Sequence, residues 1–160
     1  MDFEDRLEQA IARGTRSRVA RTHQQAATAL SAEEYKRLYT QYRLEFSECI
    51  EQCLRKMTEL MPGFVLQNMV SDGWGAGIRR DDLSVGAGRL RENLFSRLEI
   101  MVRPLNSYHV LDLIAKGTVR NKEVFQRDHY SKLDEVDPEI FRQLIQQWAL
   151  EYAELYTAQV

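Results

Sequence analysis

At 160 residues, with 44% apolar and 29% charged side chains, the chain has the size and balance of one soluble globular domain, able to bury most of its unfolded surface without metal or disulfides. A formal charge of −2 denies it a global field for nucleic acid or acidic lipid, so any such attraction must come from local clustering. No run approaches the roughly 20 apolar residues of a membrane span, and Cys49 and Cys53 are the only cysteines, too few for a disulfide framework or, alone, for a zinc site.

The first thirty residues predict a weaker helical arm, because Phe3, Leu7 and Ile11 recur every four positions until Gly14 interrupts them. Asp2, Glu4, Asp5 and Glu8 argue against an organelle transit peptide, and the apolar core of a secretory signal is missing, so a cytoplasmic location is expected by elimination. Between Gln9 and Ala32 there is no acidic residue, while Arg13, Arg16, Arg18 and Arg21 fall close together. Four such guanidinium groups can contact phosphates without sequence preference, though no aromatics are interleaved for base stacking. A solvated helix or tether is the plainer reading, and an acidic partner another.

From about 32 to 61 the pattern predicts a long helix. Ser31 and Glu34 have capping-box spacing. Tyr35, Leu38, Tyr39, Tyr42, Phe46, Cys49, Ile50, Cys53, Met57, Leu60 and Met61 follow on one side, with Glu33–Arg37 and Glu51–Arg55 at i, i+4 on the other. Pro62 and Gly63 end it. "GFVLQNMV" reads as a strand.

The segment from Ser71 to Phe95 holds five glycines, Trp74 and four arginines, and invites a phosphate-binding reading. Spacing opposes it. A Walker loop needs Lys and then Ser or Thr directly after its last glycine, whereas Ile78 and Arg79 follow Gly77; the dinucleotide fingerprint finds Ile78 where its last glycine belongs. Glycines at period two suit a strand approached closely by another backbone, or a hairpin turning at Asp81 and Asp82, which would also neutralise Arg79 and Arg80. A partner-binding loop is the functional alternative.

Beyond it the period is two. "SRLEIMVRP", "HVLDLIAKGTV" and "EVFQRDHYS" predict strands joined at Asn106–Ser107 and at Asn121, with Arg97, Glu99, Arg103, Asp112 and Lys116 forming cross-strand pairs on a solvated face. Asp128 and His129 are adjacent and so point to opposite faces, which spoils them as a general-base pair; Arg127 and His129 share a face. A last helix is predicted over about 138 to 157, capped by Asp137 and striped by Phe141, Leu144, Ile145, Trp148, Tyr152, Leu155 and Tyr156. Leu44 and Leu150 interrupt the polar sides of their helices, as single exposed leucines often do.

The expected architecture is α+β: a two-layer domain over 31–160, with a three- to four-stranded antiparallel meander packed against the two helices, preceded by the arm at 1–30. No nucleophile, base and oxyanion donor stand at readable spacing, so no catalytic residue, cofactor or metal is assigned. The cysteines read as core packing. The leading functional expectation is a non-catalytic interaction or adaptor module that binds another protein or itself through Tyr35, Tyr39, Trp148 and Tyr152 on the aromatic helix faces and Trp74, Arg79 and Arg80 in the glycine segment. A nucleic-acid-binding protein using the four arginines is one rival. A ligand binder or enzyme with a pocket between sheet and helices, near His109, His129 and Arg97, is the other.

Overall fold

The computed structural model describes residues 2–69, 73–85 and 91–159, with the side chains of 26–31, 84, 85 and 91 left outside the description. The elements are helix α1 (Phe3–Leu60), strands β1 (Val65–Met69), β2 (Trp74–Arg80), β3 (Leu83–Val85), β4 (Arg91–Asn93), β5 (Ser96–Val102), β6 (Val110–Val119) and β7 (Lys122–Lys132), a 3-10 turn at Leu133–Glu135, and helix α2 (Pro138–Gln159). The chain divides into two compact units, residues 1–37 and residues 38–160.

Unit 1 consists of helix alone. The Asp2 carboxylate caps it, accepting the Asp5 amide at 3.0 Å, with Glu4 and Asp5 complementing the positive end of the helix dipole. Backbone helix continues through Gly14, where an interruption was expected, and through Ser31, where a start was. A glycine costs a helix only about 1 kcal/mol relative to alanine, which the Ala, Arg, Gln and Leu residues around it offset. The Ser31 side chain lies outside the described residues.

Unit 2 is a two-layer α+β domain. Its main sheet has five antiparallel strands in the order β1-β2-β5-β6-β7, and β3 and β4 pair as a separate ribbon. The predicted strands are present, and the strand beyond the expected three or four is the glycine segment, inserted as β2 between β1 and β5. Period-two patterning turns Ala76, Ile78, Leu98, Ile100, Val102, Leu111 and Leu113 to one face, all of them buried. Against that face lie Phe46, Ile50 and Leu54 of α1 and Phe141, Ile145, Trp148 and Tyr152 of α2, each fully buried aliphatic or aromatic side chain contributing roughly 1.5–3 kcal/mol of transfer free energy. The Phe46 and Phe141 rings stack at 5.0 Å, joining the two helices over the sheet.

Turn chemistry sets the connections. Gly63, at φ 89°, ends α1 in the left-handed conformation that glycine adopts without a Cβ clash. Arg120 and Asn121, with φ of 49° and 70°, form a two-residue hairpin loop between β6 and β7. The Asn121 carboxamide then accepts the Phe95 amide, and the Phe95 carbonyl accepts the Asn121 amide, both at 2.9 Å. Asn106 performs the same service before β6, accepting the Tyr108 amide at 3.0 Å. Asp137 caps α2 through the Glu139 amide at 3.0 Å. No described helix is long and apolar enough to cross a membrane.

Candidate functional site

The described glycines of the segment, Gly73, Gly75 and Gly77, serve geometry, while Ser71, Asp72 and residues 86–90 lie outside the described residues. As an interior strand, β2 gives its amides and carbonyls to β1 on one side and β5 on the other, leaving no nest of amides to converge on a phosphate. A Cβ on Gly75 would lie 2.1 Å from the Ile100 carbonyl oxygen, so only glycine permits this approach of the two backbones. Arg79 pairs with Asp81 and Arg80 with Asp82, each at 3.0 Å, and Arg80 also donates to the Pro62 carbonyl at 2.8 Å. Asn93 of β4 donates to Asp81 at 2.9 Å, which ties the small ribbon to the turn. Trp74 stays partly exposed with the Arg43 guanidinium 3.9 Å above its ring.

Of the helix aromatics, Tyr39, Phe46, Phe141, Trp148, Tyr152 and Tyr156 are buried, Tyr35 and Tyr42 are half-buried, and Phe3 is exposed. The Tyr39 hydroxyl donates to the Arg103 carbonyl and the Tyr152 hydroxyl to the Thr118 carbonyl, each at 2.7 Å. Burial pushes both phenols above their usual range. Trp148 is buried with them. Tyr39, Trp148 and Tyr152 therefore have no face to offer a partner: their rings fill the layer between helix and sheet, and the hydroxyls of Tyr39 and Tyr152 satisfy strand carbonyls.

The pocket envisaged between the layers is occupied by this core. Arg97 and His129, expected beside it, lie on opposite faces of the sheet: Arg97 is adjacent to buried Leu98 and turns away from the helices, whereas His129 stands opposite Leu113 with its ring 5.0 Å from that of Phe141. His109 occupies the turn before β6 at φ 55°, its carbonyl accepting the Leu133 amide at 3.0 Å. The shared face of Arg127 and His129 is as expected, and Arg127 uses it to reach Glu151 of α2 at 2.5 Å.

Concavities lie elsewhere in unit 2, and two of them have walls built from more than one element. One, of about 490 Å³, is on the sheet face that carries no helix, between Glu99, Met101, Arg103, Lys116 and Asp128. The charges of this face pair in two ways: Arg103 reaches Asp112 of β6 at 3.5 Å, across strands as expected, and Glu99 stands opposite Lys116 in register, whereas Arg97 pairs with Glu99 at 2.8 Å along its own strand, not across to a neighbour. Partial burial raises the Asp112 carboxyl above its ordinary range, an effect that Arg103 opposes.

The other, of about 390 Å³, is an apolar groove between the last turns of α1 and the middle of α2. Its residues recur at helical spacing on both sides, Cys53, Met57, Leu60 and Met61 facing Ala149, Leu150 and Ala153. Here the cysteines depart from expectation. Neither is fully buried, because the core stripe of α1 centres on Phe46, Ile50 and Leu54 and places Cys49 and Cys53 on its flank, about 60–100° round the helix from its centre. Leu54, absent from the predicted stripe, is fully buried, and exposed Leu150 is a wall of the groove. An apolar residue breaking a polar helix side was the available signal.

Among the described residues no group of three or more His, Cys, Asp or Glu side chains is placed to hold a metal ion. Comparison with protein-family models, with curated proteins and with solved structures finds no match.

Proposed function

We propose that this chain is a non-catalytic interaction module that docks on another protein through the helix of unit 1. The observation carrying the reading is that this unit is a single helix in which Phe3, Leu7, Ile11 and Val19 are exposed, with no second element of the unit to cover them. Helices hold together chiefly by packing an apolar face, since nucleation is costly and propensity is weak. A partner surface supplies that packing. Arg13, Arg16, Arg18 and Arg21, all exposed on the same helix and with no acidic residue among them, select for an acidic partner surface and raise the rate of encounter. The two free thiols fit a reducing compartment such as the cytoplasm.

Chemical cross-linking and light scattering on the full chain, alone and with candidate partners, test the proposal through Leu7→Glu with Ile11→Glu. The pair removes apolar contact without touching unit 2, so association should fall by roughly 100-fold, since truncating two anchoring side chains costs about 1–3 kcal/mol. Unchanged association would refute the reading. Nucleic acid remains the second reading because of the same four arginines. Retention on a polyanion column that falls steeply with salt, and disappears when the four become glutamine, would favour it over protein docking.

A further inference from the structure

We infer that Cys53 and the apolar groove beside it form a covalent acylation site, which takes a medium- or long-chain acyl group from an acyl thioester and lays its hydrocarbon tail between α1 and α2. The inference begins from placement. Cys53 opens a stripe continued by Met57, Leu60 and Met61, so the thiol stands at one end of an apolar channel and not on an open surface. Met61 and Ala149, both buried, form its floor, while Leu60 and Leu150, 76% and 71% exposed, rise as walls. The small side chains of Ala149 and Ala153 leave the space vacant. Apart from Lys56 and Gln146, the lining consists of aliphatic, thioether and thiol groups, which suit hydrocarbon.

The second requirement is a nucleophile, and the neighbouring cysteine provides for it. The Cys49 thiol donates a hydrogen bond to the Cys53 sulfur one helical turn away, lowering Cys53 to about 7 and raising Cys49, with partial burial adding to the rise. A thiol at that value is substantially thiolate at neutral pH, the form that attacks carbonyl carbon. In the reaction the Cys53 thiolate adds to the thioester carbonyl, the new sulfur–carbon bond forms, the bond to the donor sulfur breaks, and the donor thiolate leaves to take a proton from water. One thioester replaces another, with no oxidant or reductant. An acylated groove would present unit 2 with its exposed leucines covered.

The full chain, reduced and incubated separately with dodecanoyl and acetyl thioesters of coenzyme A, tests this by intact mass and peptide mapping. The dodecanoyl adduct should form on Cys53 at least about tenfold faster, since burying about two methylenes in the groove is sufficient for that factor. It should be released by hydroxylamine. Cys53→Ser should abolish it, and Cys49→Ala, which removes the donor, should move the pH midpoint for alkylation by iodoacetamide upward from about 7. Ala153→Phe, which fills the channel at a half-buried position, should slow dodecanoyl transfer while leaving iodoacetamide reactivity unchanged. Equal rates for the two chain lengths, acylation that survives Cys53→Ser, or dodecanoyl transfer indifferent to Ala153→Phe would each overturn the assignment.

Discussion

Gly117 lies in β6 directly beneath the Tyr152 ring, and replacing it with alanine asks how tightly helix α2 is held to the sheet. A Cβ there would meet Tyr152 Cδ2 at 2.8 Å and Phe125 Cδ1 at 3.1 Å. Neither ring can retreat without cost. Tyr152 is fully buried, its hydroxyl donates to the Thr118 carbonyl at 2.7 Å, and Phe64 packs edge-on against it at 6.4 Å. Overpacking of this kind costs about 1–3 kcal/mol. Loss of the tyrosine hydrogen bond as the ring shifts adds about 1 kcal/mol. Reduced freedom of the unfolded chain returns about 0.4–1 kcal/mol, leaving a net destabilisation of about 1–3 kcal/mol for Gly117→Ala.

Urea unfolding measures it, the midpoint falling while the slope stays constant because the same surface is exposed. A double-mutant cycle identifies the cause: Tyr152→Leu removes the ring edge that the new methyl strikes, so Gly117→Ala should cost less in that background, with a coupling above about 0.5 kcal/mol. A Gly117→Ala protein as stable as the parent, or a strictly additive cycle, would refute the reasoning.

Other consequences follow from the same contacts. Gly75→Ala, whose Cβ would lie 2.1 Å from a backbone oxygen, should break the β2–β5 pairing and destabilise more than Gly117→Ala, with early amide exchange in β1 and β2 as the signature. Tyr39→Phe should cost about 1 kcal/mol in urea unfolding by stranding the Arg103 carbonyl that the hydroxyl now satisfies. Two carboxylates should respond to pH with opposite signs. Asp112 is raised by burial, so its contribution is present below the unfolded value near 3.9 and lost as pH rises through the folded one; the stability advantage over Asp112→Asn should shrink with rising pH. Asp81 is lowered by the hydrogen bonds from Asn93 and Arg79, so its contribution is present above the unfolded value and lost as pH falls through the lowered one; the advantage over Asp81→Asn should shrink on acidification.

How far these contacts could be read from the sequence depends on whether a signal is local. Pro138 with Asp137, the alternation from Ser96 to Val102 and the Asn121 loop are local, and each appears where its residue types require it. The glycines of β2 show why local reading also permits more than one answer. Period-two glycine fits a close backbone or a ligand cradle until the flanking strands are known, and Met69, Met101 and Ile100 settle the matter from outside the segment. The helix start failed for a related reason: Ser31 and Glu34 satisfy a capping pattern, but a cap acts only where the preceding backbone leaves the helix.

The groove marks the limit most clearly. Cys53 and Leu60 belong to a stripe whose apolar character is plain in the sequence, yet that stripe is wider than the face the sheet can cover. Which residues fall inside follows from the angle at which α2 lies alongside, an angle fixed by Phe46 against Phe141 and by Arg142 bridging Glu45 and Glu139. Those partners are separated by most of the chain. A helix with more apolar width than its layer needs is therefore a prompt to look for a second surface, and in this protein the excess width carries both thiols.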